Sequence, residues 1–333
     1  MENTVNEKIK LLEDKYAQMG QDLNSYLDGL LLSNYLTYWD YTQVETLLTL
    51  QNPKTDYPDE VIFIMYHQIT ELYFKLALHE FEQIAYNGKI ISANGKDEGW
   101  KDKLDVRFFI DRVNRINRYF EALTQSFEIM VDGMEKEQFL RYRMALLPAS
   151  GFQSAQYRMI EICATEFINL VDKDVRADLQ GKDESLETLF ANIYWNKGAT
   201  ELASGKKTLT LLQFEKKYAK KFLTLAKEYQ DKNLWKKYLE LSETDRQNTQ
   251  LMNALKQLDV NVNINWPLMH YKSAVRYLQQ NSGDISATGG TNWQKYLPPR
   301  FQKRIFYPGL WTEEEVQDWG KGWVETNVFK TRE

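Results

Sequence analysis

Phe139-Leu-Arg-Tyr-Arg143-Met-Ala-Leu-Leu147-Pro148-Ala-Ser150-Gly151-Phe-Gln-Ser-Ala-Gln-Tyr-Arg158 places cations inside apolar sequence and breaks the chain once. Arg141 and Arg143 precede the apolar run Met144–Leu147. Pro148-Ala149-Ser150-Gly151 then interrupts it: proline belongs near a helix end, Ser150 suits an N-cap and Gly151 relaxes the backbone. Beyond the break Phe152, Ala155, Met159 and Ile162 recur at helical spacing. A guanidinium beside a turn that opens a helix suits one small anion such as a carboxylate, because orphan N–H groups face the same way. The same residues also suit a structural role, with Arg143 paired to an acidic side chain and Ser150 acting as a cap.

The helical period extends outward in both directions. Gly and Pro are scarce, 16 and 7 in the chain, and hairpin dipeptides between alternating runs are missing. Periodic segments cover Val5–Leu32 with an interruption at Gly20, then Val44–Leu50 closed by Asn52-Pro53. Further segments run from Asp59 to Ala85, Trp100–Asp132, through the opening stretch to Val171, and over Leu186–Trp195, Thr208–Tyr229, Leu234–Leu258 and Asn265–Gln279. Asp172–Gly181 reads as a polar connection and Asn281–Asn292 as a loop. The tail, with Pro298-Pro299, Pro308-Gly309, Trp311, Trp319 and Trp323, reads as short helices over the body. The pattern predicts an all-α fold: one large helical domain over residues 1–333 with a helical-bundle core and no internal repeat. Within it, residues 1–42 form an N-terminal helical segment and residues 281–292 a mobile loop.

Composition narrows the function. A chain of 333 residues can bury a sizeable core. Aromatic residues reach 14%, which serves either a flat ligand or core packing. A net charge of −5 gives no basis for binding nucleic acid or an anionic membrane surface. No apolar run approaches the roughly 20 residues that span a bilayer. Cys163 is the one cysteine, so no disulfide forms within this sequence and a reducing cytoplasm is the expected compartment. The N-terminus is charged and helical, without a secretory pattern. Lys216, Lys217, Lys220 and Lys221 oppose the apolar face Leu211, Phe214, Tyr218 and Phe222, which reads as a solvated helix face rather than a phosphate site.

Three histidines carry the possible chemistry. His67 shares a helical stripe with Phe63, Thr70, Phe74 and Leu78, so its imidazole faces an apolar wall. There it can accept a hydrogen bond from a ligand N–H, act as a base, or simply be a buried histidine bonded to a neighbour. His79, beside Glu80 and Glu82, reads as a surface residue. His270 follows Trp266-Pro267-Leu268-Met269, with no His, Cys or carboxylate at i+3 or i+4, so a zinc site of helical spacing is not available. A lone histidine on an apolar helix is either a core residue or the single protein ligand of a haem iron. The glycines of Ser282-Gly-Asp-Ile-Ser-Ala287-Thr288-Gly-Gly-Thr291 lack the neighbours of a phosphate loop, so this segment reads as a loop able to fold over a ligand.

In this order the residues resemble the tryptophan 2,3-dioxygenase family, from about Tyr38 to Trp311. Five blocks carry the resemblance. They are Leu36–Tyr41 with Leu47–Gln51, Asp59–Gln68 with Glu71–Lys75, and Arg143–Ser154 with Gln156–Arg158 and Glu161. Trp266 with His270 is the fourth, and the fifth joins Ala287–Thr291, Tyr296-Leu297 and Tyr307–Trp311.

The resemblance implies a haem b pocket, with His270 as axial iron ligand and His67 as the catalytic distal residue that meets the indole N–H. It makes Phe63 an aromatic wall, Arg143 the anchor for the substrate carboxylate, and Thr288 a partner of the ammonium and carboxylate. Ser150 lines the distal pocket, and Phe139 stands where bacterial members often have Tyr. Tyr38 and Tyr41 belong to a segment that reaches a neighbouring subunit's pocket in a homotetramer, a dimer of dimers. The implied reaction inserts both atoms of O2 across the indole C2–C3 bond of L-tryptophan to give N-formylkynurenine. Alternatives are a related His-ligated haem oxygenase on another aromatic substrate, or a haem-binding protein without turnover. Departures from the family pattern are Ala287 for Gly, a longer interval from His270 to Thr288, and Tyr307-Pro-Gly309 in the tail.

Overall fold

The structure, a computed structural model, describes residues 2–33, 36–147, 151–199, 206–279 and 293–321. It divides into two compact units, Met1–Asn52 with Ile91–Glu98, and Pro53–Ile90 with Gly99–Glu333. Helices carry both, so the all-α expectation is met.

The first unit contains α1 (Glu2–Gln18), α2 (Leu23–Leu32), α3 (Tyr38–Thr42) and α4 (Val44–Leu47). The expected interruption lies at Gly20, whose φ of +67° is left-handed and favours glycine. Asp22 then caps α2, accepting from the backbone N–H of Asn24 at 3.2 Å and of Ser25 at 3.1 Å. Thr37 caps α3, which carries Tyr38 and Tyr41 on an exposed surface.

One short hairpin departs from the all-helical reading: β1 (Lys89–Ile91) pairs with β2 (Asp97–Trp100). Ser92–Gly95 forms its turn, closed by Gly95 N–H donating to Ser92 C=O at 2.9 Å, with Gly95 at a left-handed φ of +77°. A run of three residues is too short to display alternation, which is why the sequence carries no strand signal there.

The second unit holds α5 (Asp59–Ala85), α6 (Val106–Ser126), α7 (Glu128–Asp132), α8 (Lys136–Tyr142) and α9 (Ala155–Ala164). After these come α10 (Lys173–Leu179), α11 (Leu186–Ala191), α12 (Tyr194–Gly198), α13 (Leu209–Glu228), α14 (Leu234–Leu239), α15 (Glu243–Arg246), α16 (Thr249–Val260) and α17 (Trp266–Leu278). α5 packs on α6 and α9, α6 on α16, and α9 on α13. The α6 stripe Phe109, Val113, Ile116, Phe120 and Leu123 is fully buried. Each such side chain stabilises the fold by about 1.5–3 kcal/mol.

Two sequence expectations are corrected here. Asp172–Gly181, read as a connection, contains α10, because Asp172 caps it by accepting from Asp174 N–H at 3.0 Å. Leu234–Leu258, read as helical sequence, is helical and forms α14, α15 and α16, restarted by the caps Ser242 and Asn248. The break expected before Asn265 is not there. α16 runs into α17 through a π-turn, Asn261–Asn265, in which Trp266 N–H donates to Asn261 C=O five residues back. The wider turn makes room for Pro267, which has no N–H and whose ring crowds the preceding turn.

The tail packs as short helices, α18 (Trp293–Tyr296), α19 (Pro299–Gln302) and α20 (Glu313–Gln317). Two fully buried carboxylates hold it. Glu161 on α9 takes Arg304 and Arg158, and Tyr194 Oη donates to the same carboxylate at 2.6 Å. Asp259 on α16 accepts from the N–H groups of Phe306 at 3.0 Å, Tyr307 at 3.2 Å and Trp311 Nε1 at 3.0 Å. Burial raises the Asp259 pKa to about 6 even against those donors.

Candidate functional site

The site grows from two helices that each present one imidazole. On α5, His67 Nδ1 lies 2.7 Å from Phe63 C=O. A carbonyl only accepts, so Nδ1 carries the proton and Nε2 keeps the lone pair. The ring stacks obliquely on Phe63 with centroids 4.1 Å apart. Burial lowers the pKa of His67 below its ordinary value, which holds the imidazole neutral. A Cβ built on Gly151 would stand 3.9 Å from His67 Nε2, so the glycine after the polar break borders the accepting nitrogen.

On α17, His270 repeats the arrangement. Its Nδ1 lies 3.0 Å from Trp266 C=O, fixing the same tautomer. Phe127 and Trp266 flank the ring at centroid distances of 4.6 and 4.7 Å. Burial, joined by a smaller effect of the charge His67 would carry, lowers its pKa to about 4. Both histidines nevertheless are only partly buried as residues. Tyr66 and Phe127 connect them: Tyr66 meets His67 at 6.4 Å and Phe127 at 5.7 Å.

A second aromatic group extends from Phe63. Its ring lies 6.4 Å from Phe139 and 6.0 Å from Tyr142 on α8, and Phe139 lies 4.6 Å from Tyr277 on α17. Arg143 follows Tyr142 directly and is 7% exposed. Burial presses its pKa below the ordinary arginine value, yet a guanidinium stays charged at any physiological pH. Phe63, His67, Phe139 and His270 are thus joined by ring contacts, and Arg143 sits at the end of the helix that carries Phe139. Tyr66, Phe127, Tyr142 and Tyr277 were not legible as site residues. Phe127 lies at the junction of α6 and α7, where no stripe points to it.

Other expectations resolve simply. Ser150 and Thr288 lie outside the described residues, as does the 281–292 loop. Tyr38 and Tyr41 are 71% and 76% exposed on the first unit. His79 is exposed, and Lys216, Lys217, Lys220 and Lys221 form a solvated face. Cys163 is buried, and burial pushes its thiol pKa up, which suits packing rather than reactivity.

The donor set fits the haem implied by the resemblance. Among the described residues no group of three or more His, Cys, Asp or Glu gathers to hold a bare ion. A neutral imidazole with its Nε2 lone pair, its Nδ1 tied to a carbonyl and flat rings on both sides is the ligand environment a porphyrin iron uses. His270 offers this, and His67 offers a second accepting nitrogen on another helix.

Comparison with known proteins converges on one family. The family described as Tryptophan 2,3-dioxygenase matches residues 30–274. A protein named tryptophan 2,3-dioxygenase from Ruegeria sp. (strain TM1040) is 36% identical over 126 residues, covering 38% of this chain and 40% of the relative. One of the same name from Bacillus anthracis gives the same identity and coverage. Tryptophan 2,3-dioxygenase 2 from Ralstonia nicotianae is 37% identical over 151 residues, 44% of this chain and 37% of the relative. The chain therefore spans about 40% of the length of the curated relatives it matches.

Proposed function

Since the chain belongs to the tryptophan 2,3-dioxygenase family, we propose that it opens the indole ring of L-tryptophan with O2. One oxygen atom goes to C2 and the other to C3, giving N-formylkynurenine, the first step of tryptophan breakdown by the kynurenine route. The observation that carries this reading is the pair of neutral imidazoles on α5 and α17, each with Nδ1 committed to a backbone carbonyl. Haem b supplies, when bound, the iron at which O2 is activated.

The chain's own residues bind and orient. His270 is the haem ligand, its ring fixed by Trp266 C=O and kept neutral by burial. His67 Nε2 accepts the indole N–H, and Phe63 and Phe139 form the wall against which the indole lies. Arg143 pairs with the carboxylate, Thr288 with the ammonium and carboxylate, and Ser150 lines the distal side. Together they turn an encounter of two reactants into a positioned one. Residues 1–333 act as one catalytic domain with the 281–292 loop closing over substrate. No described helix is long and apolar enough to cross a membrane, and a reducing cytoplasm suits the buried Cys163 thiol.

The test is to reduce the protein anaerobically, add tryptophan and O2, and read the product mass. A gain of both oxygen atoms is expected. A gain of one would make the protein a different oxygenase, and O2 uptake without consumption of tryptophan would leave a haem-binding protein without turnover.

The exposed aromatic helix α3 fits an assembly role. We place Tyr38 and Tyr41 in a neighbouring subunit's pocket, within a homotetramer. Removing residues up to Asp40 should then raise the Michaelis constant for tryptophan. A fully active monomer by light scattering would contradict this.

A further inference from the structure

The π-turn between α16 and α17 is the element that aims His270, and we infer that Asn261 is the positioning residue that holds it. This rests on the reading of His270 as the haem ligand. One extra residue in a helical turn rotates everything downstream by about 100° relative to an unbroken α-helix. Trp266 and His270 lie just beyond the insertion, so their direction relative to α16 depends on it.

A widened turn has weaker backbone bonding than the helix around it, and here side chains reinforce it. Asn261 is 1% exposed and lies at the centre of the network. Its Oδ1 accepts from Gln257 Nε2 at 3.1 Å, one turn before, and from Asn265 Nδ2 at 3.0 Å, one turn after. Its Nδ2 donates to Asn117 Oδ1 on α6 at 3.1 Å. Asn117 Nδ2 in turn donates to Ala254 C=O on α16 at 2.9 Å, so one α6 side chain ties the hub to the α16 backbone two turns before it. A second fastening runs from Asn263 Nδ2 to Asp259 at 2.7 Å, the carboxylate that also holds the tail. Three side-chain hydrogen bonds on one fully enclosed amide fix the phase of the turn. Both polar ends of the Asn261 amide are hydrogen-bonded, and a different turn geometry would leave those buried atoms without partners. These hydrogen bonds end on α6, α16 and the π-turn rather than on either imidazole, so their influence passes through the helix.

The test compares Asn261→Ala with Asn233→Ala in haem-loaded protein. Asn233 is also buried and caps α14, away from the π-turn. Two readouts report on the ligand rather than on turnover: the iron–histidine stretching band of the ferrous protein, and the rate of haem loss to excess apomyoglobin. Asn261→Ala should shift or broaden the band and speed haem loss by roughly ten- to a hundredfold, the range seen when support behind a metal ligand is removed. Asn233→Ala should lower stability and leave the band in place. An Asn261→Ala protein with native helicity and an unchanged band and loss rate overturns the proposal. If Asn261→Ala does not fold, Asn265→Ala, which removes one donor from the hub, takes its place: the same two readouts support or overturn the proposal in the same way. His270→Ala is measured alongside: a band that survives it removes the ligand assignment itself, and the positioning role with it.

Discussion

His270→Ala is expected to fold and yet fail to hold haem through a protein nitrogen. The substitution removes one half-buried imidazole from between Phe127 and Trp266, and the helix around it keeps its other contacts. No other histidine stands on α17, so no replacement ligand is at hand. Loss of support behind a ligand costs roughly 10–100-fold in affinity, and loss of the ligand should exceed that. Haem titration followed by absorption, with far-ultraviolet circular dichroism as the check on folding, measures both. Imidazole added to solution should partly restore the spectrum by refilling the space. His67→Ala should keep the haem and change the handling of tryptophan, because its Nε2 is assigned to the indole. If His67→Ala strips the haem and His270→Ala does not, the two roles are exchanged.

Arg143→Ala is expected to lower kcat/KM for tryptophan by at least about a hundredfold. The guanidinium is buried, where a charge-assisted pair with a carboxylate is strong and its loss typically costs on the order of 3–5 kcal/mol. At about 1.4 kcal/mol per factor of ten, the lower end already gives that loss. Lysine should not rescue, since a point charge cannot reproduce the two parallel N–H bonds of the fork. Tryptamine, which lacks the carboxylate, should be a poor substrate for the native protein and nearly indifferent to the substitution. Steady-state kinetics with both substrates on both proteins decides. An equal loss for tryptophan and tryptamine would make Arg143 a structural residue and leave the carboxylate without its anchor.

What the sequence determined by itself is the local part of this protein. The 3.6-residue period and the Pro58-Asp59 start place α5 at Asp59–Ala85, and Thr208 caps α13 where the pattern begins. Those signals depend on neighbours within a turn or two, so a single chain displays them. The histidines were recognisable because only three exist, and the ordered blocks supplied roles for them. The tertiary structure decided what depends on distant partners. Asn261 is an ordinary polar residue until Asn117, 144 positions away, closes on its amide. The turn it holds looks like a helix end in sequence, because asparagines and Pro267 usually stop a helix. Only the burial of that segment against α6 makes a continuous, widened turn more favourable than a break. Phe127 likewise carries no signal of its own, and becomes a wall of the His270 site only because α7 and α17 pack together. The neutral state of both imidazoles also comes from folding: their ordinary pKa lies near neutrality, and enclosure by other helices moves it down.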